Sequence, residues 1–345
     1  MKRTKASSPR AELAGQLIES LQAKFVRNLE EVSQKLGHGG KFQAVEWLRD
    51  DGRHGGGVRF VAPEGNIFNR ASVNMSQIHY DDDPNKALAS ATALSTIVHP
   101  ANPYAPSMHM HISWTELKSG KGYWRIMADL NPAIVDEATK KQFVQCLVDA
   151  SGKIHRYAAD QGDRYFYIPA RKRHRGVAHF YLEEYHSDDP SADQDLSQRL
   201  GESVIDTYSK ILQTMIEKHP SPDEKAFAEQ LAYHTLYFFQ VLTLDRGTSS
   251  GLLVHNQNDV GVLGSLPSHI DRQLLASWEK DLPAPQDQLL KSLLQVLPET
   301  SPCLIDEERK KALAEQLRRH FKAHPEALKL QASGDVIPLT VDNHS

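Results

Sequence analysis

The chain has 345 residues, 40% of them hydrophobic and 24% charged, which suits a core-forming protein of one large domain or two ordinary ones. A net charge of −4 gives no basic surface for nucleic acid, and no apolar run approaches the ~20 residues that span a bilayer. Two cysteines, Cys146 and Cys303, lie far apart and outside any CxxC spacing, which argues against a disulfide framework or a thiolate zinc site. The opening MKRTKASSPR is basic but has no apolar stretch, so residues 1–10 read as a flexible tail and the compartment as the cytoplasm.

Leu13, Leu17, Leu21, Phe25 and Leu29 recur at helical spacing, which predicts a helix over residues 11–36 that ends at Gly37, Gly39 and Gly40. Residues 58–62 and the run through Val73 and Ile78 read as a hairpin about Pro63-Glu64-Gly65-Asn66. Residues 81–85 are a polar loop, 87–98 an apolar stretch of ambiguous type, and 99–106 a proline-punctuated loop. Strands are expected over 108–117 and 122–130, a helix over 136–159, and a strand pair over 163–169 and 176–185. Helices follow over 195–219 and 221–232, then a strongly β-type run over 237–244 and a last strand over 260–266. Residues 271–278, 286–297 and 306–324 are helical by periodicity. Runs of strands with helices before, between and after them predict an α+β fold, one large antiparallel β-sheet covered by helices. Residues 11–300 form a single domain, and 301–345 a helical extension with a loose tail.

The densest chemistry is His99-Pro100 followed by His109-Met110-His111, with Asp129 on the next strand. Residues two apart on a strand share a face. That parity groups His109, His111 and Ser113; Arg125, Met127 and Asp129; and Arg175, Val177, His179 and Tyr181. If the three faces line one pocket, its histidines and carboxylate suit a transition metal such as zinc or iron. An HxH pair on a strand is more often solvent-facing or simply hydrogen-bonded. Asp245-Arg246-Gly247-Thr248 reads by itself as an Asp-capped turn with an exposed arginine. Gly55–Gly57 lacks the lysine of a phosphate loop, and no GxSxG elbow is present. Glu183-Glu184 and residues 307–311 read as solvated faces.

Six blocks, taken in order, resemble the oxygen-dependent coproporphyrinogen III oxidases. RASVNMS from Arg70 is similar to their KAGVNFS, and IVHPANPYAPSMH from Ile97 to VHPxNPYxPTxH. ADLNP from Ala128 is similar to DLTP, YFYIPARKRHRGVAHFYLEE from Tyr165 to YFYLxHRxExRGIGGxFFDD, DRGTSSGL from Asp245 to DRGTxFGL, and VLGSLPS from Val262 to ILMSMPP.

The resemblance implies a curved antiparallel sheet flanked on both sides by helices, a homodimer, and a cleft for a porphyrinogen. It implies an oxidoreductase of haem biosynthesis that turns propionates of coproporphyrinogen III into vinyl groups, with molecular oxygen as co-substrate and no organic cofactor. Position by position, Asp129 takes the place of the pyrrole-facing aspartate, Asp245 is a second acid, and His109 the pocket histidine. Asn74, Ser76, Arg125, Arg175, Arg246 and His99 are the expected substrate contacts.

Departures from the family pattern bear on substrate grip. HxNxR carries His111 and Ser113 in place of its asparagine and arginine. The arginine of YRRGRYVEF falls near His234, GGGRxR becomes GGG-Val58-Arg59-Phe60, and GIGG becomes Gly176-Val177-Ala178-His179. Each lost charged hydrogen bond weakens a four-carboxylate ligand by ~1.5–3 kcal/mol, and Arg125, standing for a family glycine, restores one. Two alternatives therefore accompany the main reading. One is a divergent oxygen-using enzyme acting on a smaller carboxylated substrate, with iron, zinc or manganese on His109, His111, His179 and Asp129. The other is a non-catalytic tetrapyrrole-binding protein.

Overall fold

Seven antiparallel strands form a meander that organises the molecule; the computed structural model describes residues 2–63 and 65–344. They are β1 (Gln43–Leu48), β2 (Gly55–Val61), β3 (Phe68–His79), β4 (Leu88–Pro100), β5 (Ser107–Leu117), β6 (Gly122–Asn131) and β7 (Ala178–Tyr185), each paired with the next. The ambiguous apolar stretch is thus β4, and the expected α+β fold is the one observed. β1 was not foreseen: its residues are exposed or half-buried, so no buried alternation marks it.

One sheet face is apolar. Val73, Met75, Leu94, Met110, Ile112, Ile126 and Phe180 point into a core closed by α1 (Pro9–Lys35), α2 (Glu137–Ser151) and, after α3 (His155–Tyr165), α4 (Pro190–Lys218). Ser8 caps α1, with Pro9 in its first turn, and the buried stripe Leu17, Leu21, Phe25 and Leu29 lies on the sheet. Gly201 of α4 lets the two helices approach, since a Cβ there would stand 2.8 Å from a Leu21 methyl. The basic stretch expected to be a loose tail is instead tied to the sheet: Thr4 bonds to the Gly52 and Arg53 carbonyls, and the Ala6 N–H to Gln77.

The other face is polar over β3–β6 and is roofed by α5 (Glu224–Thr243), α6 (Arg246–Val254), α7 (Gln286–Gln295) and α8 (Glu307–Ala323), which share a second apolar core. Residues 237–244, expected as a strand, are the last turns of α5. Every residue from Tyr233 to Thr243 is buried, so the helix shows no polar stripe and its aromatic, branched composition imitates a strand. Residues 260–265 are short helical turns; of 163–169, the first three end α3 and Tyr167–Ile168 form a two-residue strand that pairs with Arg173–His174 and not with β7. Cys146 and Cys303 are both free and buried. Among the described residues no helix is long and apolar enough to cross a membrane.

Candidate active site

Between the polar sheet face and the helical roof lies a cavity of about 250 Å³, walled by Asn74, Ser76, Ser95, His109, His111, Ser113, Arg125, Tyr165, Arg175, Glu183, Tyr237 and Asp245, among others. The strand register brings its polar residues together: His109 lies opposite Asp129, His111 opposite Met127, and Ser113 opposite Arg125.

Asp129 is wholly buried, and both of its oxygens are engaged. His109 Nδ1 meets Oδ1 at 2.8 Å, while Arg175 and the Asn131 amide donate to Oδ2 at 2.6 Å each. Burial alone would raise its pKa, but the Arg175 charge and the hydrogen bonds from His109 and Asn131 outweigh it and hold the carboxyl well below its ordinary value. Because the ionised carboxylate only accepts, Nδ1 of His109 carries the proton and Nε2 is left for the cavity. Asp129 therefore stands behind His109 and does not line the cavity itself. Arg175 is clamped between the Phe166 and Tyr237 rings, at 4.2 and 4.8 Å, and also donates to Gln240 at 2.7 Å.

Asp245 lines the cavity at the N-terminus of α6, where Oδ1 accepts from the Thr248 N–H at 2.7 Å and Oδ2 from the Tyr165 hydroxyl at 3.3 Å. It caps a helix, not a turn leaving a strand. Burial and the neighbouring Asp245 charge push the Tyr165 phenol up, so it remains protonated and donating. Arg125 lines the cavity beside Glu183, at 2.5 Å, and Tyr181, whose hydroxyl bonds to Glu183 at 2.5 Å. Glu183 is thus a buried wall residue, not the solvated charge its neighbourhood in the sequence suggests; its side chain is 5% exposed.

Two expected substrate contacts, Arg246 and His99, and one expected metal ligand, His179, lie elsewhere. Arg246 turns away from the cavity and donates to the Leu328 and Ala332 carbonyls at 2.9 and 3.3 Å. His99 is fully buried between the Ser107 hydroxyl, at 2.8 Å, and the Ser265 carbonyl, at 3.0 Å, and burial pushes its pKa far down. It ties β4 to the roof. His179 shares the parity of Asp129 but lies under α3, bonded to Asp163 at 2.6 Å. Gly162 permits that cover, because a Cβ there would stand 2.7 Å from the His179 Cβ.

The proposed metal ligands therefore do not converge. His179 is outside the cavity, both Asp129 oxygens are occupied, and His111 bonds to Ser113 at 3.0 Å. Among the described residues no three His, Cys, Asp or Glu side chains are placed to hold an ion, so the site does not fit the iron, zinc or manganese set. Burial, with the Arg125 charge adding to it, pushes the His111 pKa well below its ordinary value. The residues that motif reading passed over are Tyr165, Glu183, Gln240 and Asn131, which hold the expected ones in place. Parity would have found Glu183, two residues beyond Tyr181.

Residues 14–298 match the family model described as Coproporphyrinogen III oxidase. The chain belongs to this family. It is similar to the mitochondrial oxygen-dependent coproporphyrinogen-III oxidase of Rattus norvegicus, 28% identical over 308 residues, 81% of this chain and 66% of that protein. It thus spans just under two thirds of the rat protein's length. The oxygen-dependent coproporphyrinogen-III oxidase of Prochlorococcus marinus (strain AS9601) is 27% identical over 303 residues, 76% of this chain and 84% of that one. The Drosophila melanogaster protein of the same name is 27% identical over 287 residues, 76% of this chain and 70% of its own. The cavity lies inside the span that the coproporphyrinogen oxidase family shares, apart from Pro338, Thr340, Asn343 and His344, which line its mouth.

Proposed function

We propose that this family member catalyses the oxygen-dependent oxidative decarboxylation of coproporphyrinogen III, converting propionates to vinyl groups in haem biosynthesis. The names of its relatives support this over a smaller substrate or a non-catalytic role. The observation that carries the mechanism is the buried series Arg175, Asp129 and His109, which presents one imidazole nitrogen to the cavity.

Asp129 fixes the tautomer and orientation of His109 and stabilises the imidazolium that forms when Nε2 takes a proton from a pyrrole N–H. Arg175 keeps Asp129 ionised throughout, so Asp129 and Arg175 are positioning residues and His109 is the base. Asp245, with one oxygen at the cavity wall, is the second acceptor for the ring nitrogens, and Asn74 and Ser76 offer polar contacts to the arms. Deprotonation makes the pyrrole electron-rich enough to give electrons to dioxygen. For each arm, the bond to the carboxylate and one β C–H bond break. The side chain loses two electrons and two protons, which reduce dioxygen to hydrogen peroxide, so a propionic arm and dioxygen give a vinyl group, carbon dioxide and peroxide. No organic cofactor is required for that balance. From the family resemblance we also read the protein as a cytoplasmic homodimer.

The test is an aerobic assay of purified protein with coproporphyrinogen III, following porphyrin fluorescence and oxygen uptake. Formation of the vinyl product is expected, with a His109→Ala loss in kcat of at least ~100-fold. Intact protein that consumes neither oxygen nor substrate would overturn the reading.

A further inference from the structure

A four-carboxylate substrate needs cations, yet the cavity's arginines already have partners within the protein: Arg175 is held by Asp129 and Arg125 by Glu183. The nearest cation without one lies a step outward. Arg59 on β2 stands opposite Asn74 in the register, on the polar face of the sheet. It is only 7% exposed, its Nε is buried without a hydrogen-bond partner, and among the described residues it makes no ion pair. Asn74, which does line the cavity, has a buried Oδ1 that is likewise unpartnered. Two adjacent unsatisfied polar groups on one face carry a desolvation cost that a bound ligand would relieve.

Two features connect this position to the cavity. Trp47 and Asn258 line both the cavity and an outer groove whose wall includes Arg59, Glu307 and Lys311. Trp47 lies opposite Gly57, where a Cβ would come within 2.6 Å of the indole nitrogen, so the glycine allows the ring to lie across the sheet as a partition. Behind the groove Lys310 of α8 is 3% exposed and likewise unpaired among the described residues; burial pulls its pKa down to about 7, aided by the Arg70 and Arg59 charges. Of the groove's three carboxylates, Asp259 is taken by Arg318 at 2.5 Å, Glu46 is solvent-exposed on the edge strand β1, and Glu307 lies close enough to act on Arg59 without pairing with it.

We propose that Arg59 anchors a peripheral carboxylate arm of the substrate, received between Trp47 and Asn258 at the junction of cavity and groove. The inference rests on the porphyrinogen reading above and adds a specificity-determining residue to it. Arg59 is remote from the His109 base on the sheet, separated from β5 by β3 and β4, so it governs affinity and leaves chemistry to the inner residues.

The experiment is a fluorescence titration with coproporphyrin III, the stable tetracarboxylate analogue, combined with steady-state kinetics on the porphyrinogen. Arg59→Gln is expected to weaken binding and raise KM by roughly 10- to 100-fold, the worth of one charge-assisted hydrogen bond, with kcat within about threefold of the parent. Arg59→Lys should recover part of the affinity, and Glu307→Gln, which removes the competing carboxylate, should tighten binding. Ligand-free Arg59→Gln should melt no lower than the parent. Unchanged affinity in Arg59→Gln, a loss confined to kcat, or a lowered melting temperature without ligand overturns the proposal alone. Failure of the parent protein to bind coproporphyrin III overturns the porphyrinogen reading and this inference with it.

Discussion

At Asp129 the protein holds a carboxylate that is wholly buried and yet ionised, because three donors converge on two oxygens. Removing its charge leaves the Arg175 guanidinium buried without a counter-charge. Asp129→Asn should therefore destabilise the fold by about 3–5 kcal/mol and lower kcat with it. The pH dependence follows from the lowered folded pKa. The carboxylate's contribution is fully present above the unfolded value of about 4 and is lost as pH falls towards the folded one. Melting curves of both proteins from pH 7 downwards should keep a constant gap to about pH 4 and then converge; a gap independent of pH would refute the assignment. Asp245 separates structure from chemistry differently, because asparagine caps a helix as well as aspartate does. Asp245→Asn should stay within about 0.5 kcal/mol of the parent, whereas Asp245→Ala loses about 1 kcal/mol with its cap. Both should lose roughly 100-fold in kcat if the charge at the cavity wall accepts ring protons. Full activity in Asp245→Asn would reduce that residue to a cap.

Among the elements, α6 has a second task through Arg246, whose guanidinium gathers the Leu328 and Ala332 carbonyls and so fastens the segment that follows α8. Arg246→Ala should release that segment locally, by about 1.5–3 kcal/mol for the lost charged bonds. Limited proteolysis should then cut near residues 325–335 well before the parent is cut there. Sequence pattern alone identified α1, β5, β6 and α8, whose apolar residues keep strict helical or alternating spacing, and parity grouped His109, His111 and Ser113 on one strand and Arg125, Met127 and Asp129 on the next, residues that the register then sets opposite one another. It failed where burial is uniform. The end of α5 is enclosed on all sides and carries no periodic signal, and the exposed edge β1 carries none either. Parity also fixes the face of a residue but not what covers it. His179 was grouped with Asp129 correctly by face, and α3 then separates it from the cavity. The pairing of each arginine with its own carboxylate was equally invisible, since Arg125 and Glu183 meet only through the register of β6 with β7.

At the scale of the whole molecule, residues 334–344 run from α3 to the β3–β4 turn and close the mouth of the cavity. Asp335 is held by Gln161 and Arg164 at one end, and at the other Lys86 donates to the His344 carbonyl at 2.9 Å. Between them Pro338, Thr340 and Asn343 line the opening. The His344 ring packs edge-on against Tyr80 and His255, at 6.0 and 5.4 Å. Burial brings His344 down to about 4, with the Arg49 and Lys86 charges acting in the same direction, and His255 to about 3, with His344 and Arg49 adding to the effect. Both rings dock uncharged, whereas an undocked histidine titrates near 6.5. Docking is therefore at full strength above about pH 6.5 and weakens as pH falls towards the folded values, because only the released state gains the proton. For His344 the weakening at pH 5 comes to about 2 kcal/mol. Hydrogen exchange, corrected for the intrinsic pH dependence of the rate, should show protection of residues 336–343 falling between pH 7.5 and 5 while β4 and β5 stay protected. His344→Leu should reduce the response to what His255 alone supplies. Equal protection at both pH values in the parent would mean that the strap is held by Asp335 and Lys86 and that the histidines do not govern access to the cavity.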